Sequence, residues 1–182
     1  MSQVNILQAE FKLCEARYFL RQMKISPDKQ TFLFNLDAFL SASRSVTFVL
    51  RTEFSKDARF QEWYDSKQQE MQTDPLLKFF RDMRNVTVKE RAPDVMAETH
   101  VSRVEIVRVT DAGSLTKISA DGREEVFHLG SEKVKSETKQ PEESSVTRYF
   151  FVEKPEEDII TLCSLYADKL ATIVEEAKRI VV

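Results

Sequence analysis

No glycine occurs in the first 91 residues. All three, Gly113, Gly122 and Gly130, fall in the second half of the 182-residue chain. Without glycine a chain has no ready source of left-handed backbone for tight turns, and the first half reads as helices joined by short links. Its prolines sit only where helices would begin. Ser26-Pro27 and Asp74-Pro75 each place a capping side chain before a proline, at the first helical position, where the missing N–H costs nothing. Apolar periodicity and these start signals predict helices over about 4–24, 27–55, 57–72 and 75–91, the third the weakest in apolar content.

The second of these helices is the expected core. Phe32, Leu36, Phe39, Leu40, Val46 and Leu50 recur at helical spacing on one face. Its opposite side carries Phe34, Ala38, Ser41, Ala42, Ser45 and Val49, mostly small residues that invite a second neighbour. A helix apolar on both sides is expected to lie centrally, flanked twice. In the fourth helix Leu76, Phe79, Phe80 and Met83 define the buried face.

Pro93 marks a change of pattern. Beyond it come Val- and Ile-rich stretches at 101–110, 114–120 and 123–129, separated by Asp111-Ala112-Gly113 and Asp121-Gly122, which are hairpin signals. Residues 130–145 hold one apolar residue in sixteen and read as a loop too polar to order itself. A fourth strand is expected at 146–152. Pro155 then opens a final helix over 156–181, its wide stripe needing a partner in the strands, the helical half or a second copy. The expected class is α+β: an N-terminal up-and-down bundle of about four helices (1–92), then an antiparallel β-meander with a long C-terminal helix (93–182).

Charge and composition exclude more than they assign. Residues 1–91 carry 15 Lys and Arg against 12 Asp and Glu; residues 92–182 carry 12 against 18. Neither half has the concentrated basic face typical of nucleic-acid binding. The first residues lack the marks of a signal peptide, and the most apolar run, 32–50, is broken by Asp37 and Arg44, too polar to span a membrane. A cytoplasmic location is expected. Cys14 and Cys163, far apart in helical text, are expected as buried free thiols. There is no glycine-rich phosphate loop, no Cys-x-x-Cys or His-x-x-x-His spacing and no Gly-x-Ser-x-Gly elbow, so neither a cofactor nor a metal is implied.

Near the end of the fourth helix stands Arg84-Asn85-Val86-Thr87-Val88-Lys89. A compact helical bundle with an Arg-Asn pair late in its sequence resembles the HEPN superfamily, whose nuclease members carry Arg-x4-6-His in a late helix. The resemblance covers about 90 residues, and its one specific motif is incomplete, since Lys89 stands at the His position. In those nucleases two copies of the motif meet at a dimer cleft and cut RNA without metal. A His near its pKa takes a proton from a ribose hydroxyl, whereas an unperturbed Lys, at about 10.4, stays charged and only holds phosphate. The resemblance therefore implies a non-catalytic, homodimeric interaction module of a bacterial cytoplasm with a protein or RNA partner. The alternative is a metal-independent, toxin-like endoribonuclease in which Arg84, Asn85 and Lys89 hold the scissile phosphate.

Two further groups bear on binding. Asp37 and Arg44 share a polar seam of the second helix; bridging or solvation is their plainer role, but they mark where a polar pocket with Arg81 or Arg84 would lie. Phe60, Trp63 and Tyr64 mix with Lys56, Arg59 and Lys67 in a pattern that can stack single-stranded nucleic acid. At i, i+3, i+4 the aromatics are expected instead as a core face.

Overall fold

Aspartates set where four of the helices start. In the computed structural model, which describes residues 7–89, 93–102, 106–110, 114–118, 124–128 and 144–181, five helices α1–α5 and six strands β1–β6 follow in chain order. The helices are α1 (Leu7–Lys24), α2 (Lys29–Glu53), α3 (Ala58–Thr73), α4 (Pro75–Lys89) and α5 (Ile159–Val181). The strands are β1 (Val95–Ser102), β2 (Ile106–Thr110), β3 (Ser114–Ile118), β4 (Glu124–His128), β5 (Ser144–Phe151) and β6 (Lys154–Asp158). Asp28 caps α2 by accepting from Thr31 N at 2.8 Å, and Asp57 caps α3 through Arg59 N at 2.9 Å. Asp74 accepts from Leu76 N and Leu77 N at 2.9 and 3.0 Å ahead of Pro75. Each satisfies amides that a helix start leaves without partners.

Two expected starts move. Ser26 does not cap α2; its hydroxyl donates back to the Gln22 carbonyl at 2.8 Å, and the cap falls to Asp28, beyond Pro27. Pro155 does not open α5. It lies inside β6, and α5 begins at Ile159 behind Asp158, which accepts from Thr161 N at 3.1 Å and the Thr161 hydroxyl at 2.6 Å. The chain reverses between Phe151 and Lys154, which pair across the β5–β6 hairpin, so the proline is spent on a short strand.

The chain forms two compact units, Met1–Met96 with Tyr149–Val182, and Ala97–Arg148. In the first, α2 packs against α1, α4 and α5, and α5 also against α1 and α3. The stripe of α5 thus finds its partner in the helical half: Leu162, Cys163, Tyr166, Leu170, Ile173 and Val174 are buried. The expected core face of α2 is buried in full. Its second face is not: Ala42 is covered, but Phe34 remains 66% exposed and Ser41 is exposed too. Aromatic rings join the layers. Phe80 lies flat on Tyr166, with centroids 4.3 Å apart and planes 2° from parallel, and meets Phe39, Phe79 and Phe151 edge-on. Phe60, Trp63 and Tyr64 are core as expected, with Phe60 wholly buried. The cysteines are free, but Cys14 is exposed rather than buried, because it follows the outward line of Phe11 and Tyr18 rather than the inward one of Leu13, Ala16 and Leu20.

The strands form two three-stranded sheets rather than one four-stranded meander. In the second unit β2, β3 and β4 run antiparallel, with Arg108 opposite Thr116 and Thr116 opposite Val126. The stretch expected as one strand over 101–110 is the end of β1 and the whole of β2, which belong to different sheets; β1 neighbours β5, and β5 neighbours β6. The two hairpin turns and most of the polar loop at 130–145 lie outside the described residues.

Candidate functional site

Four helices each lend one face to a cavity of about 170 Å³. From α2 come Arg44, Thr47, Phe48 and Arg51, at i, i+3, i+4 and i+7, so that one side of the helix forms a wall. Tyr64, Gln68, Met71 and Gln72, at i, i+4, i+7 and i+8, likewise share one side of α3. Leu77 and Arg81 are a turn apart on α4, and Tyr166 and Leu170 a turn apart on α5. The buried members, Thr47, Tyr64, Tyr166 and Leu170, make the floor, while Arg44, Phe48, Arg51, Gln68 and Gln72 are exposed at the rim.

The lining contains three arginines and no carboxylate. Arg44 uses one donor on the Thr47 hydroxyl at 2.9 Å. Arg81 gives its Nε to neighbouring Asp82 at 2.9 Å, which lies outside the lining and offsets part of the charge. Arg51 makes no hydrogen bond or ion pair among the described residues. Burial pushes the Tyr166 phenol up to about 12, against the opposing pull of Arg44. Burial likewise raises Tyr64, whose hydroxyl donates to the Thr47 carbonyl at 3.2 Å. The Tyr166 hydroxyl therefore keeps its proton at neutral pH, and it makes no hydrogen bond among the described residues. A shallower hollow lined by Thr52, Ser55 and Gln61 shares Phe48 and Arg51 with the cavity, again with no acid. Guanidiniums, amides and a protonated phenol over an apolar floor can hold an anion and offer no group suited to taking a proton.

Of the residues singled out in the sequence, Arg44 and Arg81 come together in this cavity. Asp37 does not join them: it is exposed and without a hydrogen bond or ion pair among the described residues. Arg84 is one turn beyond Arg81 on α4, half-buried, with its Nε buried and lacking a hydrogen-bond partner. Asn85 is exposed, and Lys89 closes α4 with its side chain outside the described residues. Lys67 is drawn away from any nucleic-acid role by Glu70 and Glu176, at 2.6 and 2.8 Å. Sequence reasoning missed Arg51 and Tyr166 as site residues and took Tyr64 as core. The seven-residue spacing of Arg44 and Arg51 was the available signal. Among the described residues no group of three His, Cys, Asp or Glu could hold a metal, and no helix is long and apolar enough to cross a membrane.

No curated protein and no solved structure matches the chain. One protein family does, over residues 10–148, well over half of the sequence and running from α1 to β5. On that match the chain belongs to the family of bacteriophage lambda protein ea47.

Proposed function

We propose that this protein is a non-catalytic binding module of the HEPN-like kind, whose partner is RNA held at the cavity of α2, α3, α4 and α5. The observation that carries this reading is the convergence of Arg44, Arg51 and Arg81 on one cavity whose lining has no carboxylate. Exposed Phe48, shared by the cavity and the adjoining hollow, adds a ring on which a base can stack. The departure at Lys89 supports a role without catalysis. Pairing of two copies belongs to the same proposal; Phe11 and Tyr18, seven residues apart on α1, and Phe34 on α2 leave large apolar side chains open. Light scattering on the full chain tests the dimer.

Fluorescence anisotropy with a labelled single-stranded RNA tests the binding. Three phosphate contacts give a slope of log affinity against log salt of about −2, and Arg51→Ala reduces it by about 0.7. Absence of binding, or a slope that Arg51→Ala leaves unchanged, overturns the reading. The alternative, a metal-independent endoribonuclease using Arg84 and Asn85, is favoured by one observation, the buried Arg84 Nε without a partner. It requires cleavage of RNA in metal-free buffer that disappears in Arg84→Ala while the fold survives.

A further inference from the structure

We propose that the cavity receives the terminal phosphate of a single-stranded RNA, with Tyr166 as the residue that recognises it. This rests on the RNA reading above and narrows it from a strand to an end. Three observations lead here.

The first is shape. The cavity is small, about 170 Å³, with Thr47, Tyr64, Tyr166 and Leu170 as its buried lining, and the shallow hollow shares Phe48 and Arg51 with it. An internal phosphodiester must leave a site in two directions, whereas an end needs one way out. The hollow offers a strand that ends in the cavity one path away from it, past exposed Phe48.

The second is charge. Arg44, Arg51 and Arg81 face the space with no lining carboxylate, and Asp82 offsets only Arg81. A phosphomonoester carries about 1.5 to 2 negative charges near neutral pH, while a diester carries one. Surplus cationic charge in a confined site rewards the monoester more strongly.

The third is the phenol. Tyr166 is 6% exposed, lines the cavity and has no hydrogen bond among the described residues. Its oxygen is not among the buried polar atoms without a partner, so the hydroxyl opens on the cavity and can donate to a ligand there. A phenol is protonated at neutral pH and burial only raises it further, so the hydroxyl can donate to a phosphate oxygen throughout the neutral range.

The test uses the full chain and one RNA sequence of ten nucleotides in four forms: 5′-phosphate, 3′-phosphate, both ends hydroxyl, and circular. Anisotropy at fixed salt is expected to show one phosphorylated end binding at least about tenfold more tightly than the hydroxyl form. The two phosphorylated forms decide which end is read. Tyr166→Phe is expected to remove most of that preference, the phosphorylated form losing more affinity than the hydroxyl form. Should that variant unfold, Arg51→Gln, at the exposed rim, is expected to shrink the same ratio. Equal binding of phosphorylated, hydroxyl and circular RNA overturns the terminal-phosphate proposal and leaves the RNA reading standing. No binding of any form overturns both. A preference that survives Tyr166→Phe and Arg51→Gln unchanged places the end elsewhere and overturns the site.

Discussion

Phe80 is where the fold and the cavity meet, and truncating it measures how far one depends on the other. The ring is 1% exposed, stacked on Tyr166 and edged by Phe39, Phe79 and Phe151. Phe80→Ala removes the buried ring and leaves a space that four aromatic neighbours cannot close without breaking their own packing. Such a change costs about 3–5 kcal/mol, and the near-parallel stack on Tyr166 puts this site at the upper end, since an aromatic pair adds about 0.5–1.5 kcal/mol beyond burial. Against an ordinary stability of about 5–15 kcal/mol the variant is folded but fragile. Phe80→Leu keeps most of the apolar volume and loses the stack, so about 1–2 kcal/mol is expected. Urea unfolding followed by Trp63, the one tryptophan of the chain and part of the first unit, reads both. Tyr166 loses its flat neighbour in either variant, so the end preference of RNA binding should weaken in Phe80→Leu although residue 80 is not in the cavity lining. A cost for Phe80→Ala below about 1 kcal/mol, the level of an exposed position, would refute the packing argument. A Phe80→Leu, Tyr166→Leu double-mutant cycle without measurable coupling would refute the stack.

Replacement of Asp158 by Ala should cost about 1 kcal/mol in urea unfolding, since it removes the cap of α5, while Pro155→Ala should leave helix content by circular dichroism unchanged. A thiol reagent should titrate one cysteine, Cys14, in the native protein and both after unfolding; burial, with Asp158 nearby, pushes the Cys163 thiol well up and shields it. Acid should destabilise through the caps. The Thr31 backbone and side chain hold Asp28 below the usual carboxylate range, and the Arg59 side chain and the Phe60 amide do the same for Asp57. Asp74 is also lowered, because Lys169 and the Leu76 and Leu77 amides outweigh its burial. These lowered values mean the caps contribute fully above the unfolded carboxylate pKa of about 3.9 and fade as pH falls through the folded ones. Urea midpoints should therefore hold above about pH 5 and drop below pH 4, and Asp57→Asn should flatten that drop.

The helices were legible because their signal is local and repeated. The core face of α2, the buried face of α4 and the stripe of α5 all follow from apolar residues at helical spacing, which any neighbour will bury. Where the pattern misled, a single residue had two uses. Pro155 is as acceptable in a short strand as at a helix start, and the hairpin before it turns through Val152-Glu153, with no glycine to announce it. Valine-rich text at 101–110 signals strand but carries nothing about which strands share a sheet. The outward side of α2 is the subtler case. Small residues there read as a second interface, yet within one chain Phe34 stays largely exposed.

The cavity was half legible for a different reason. Arg44 and Arg81 could be paired on paper because each lies on the flank of a helix whose core face was already known. Tyr166 could not be added, since its place beside them depends on α5 returning from the far end of the sequence to pack on α1–α4. The same return limits what truncation can reveal. Removing residues 93–182 takes away Tyr166 and Leu170, two of the buried residues that line the cavity, and uncovers Phe39 and Phe80, whose rings lean on Tyr166. A shortened chain that fails to bind RNA has therefore lost its site and its core together, and says nothing of the β2–β4 sheet. Substitutions confined to the rim separate the two contributions. Arg51→Gln exchanges an exposed, unpaired cation for a neutral side chain of similar reach, so it should leave the urea midpoint in place while RNA affinity falls. If both fall together, Arg51 holds the fold, and the basic rim loses its claim to be a binding site.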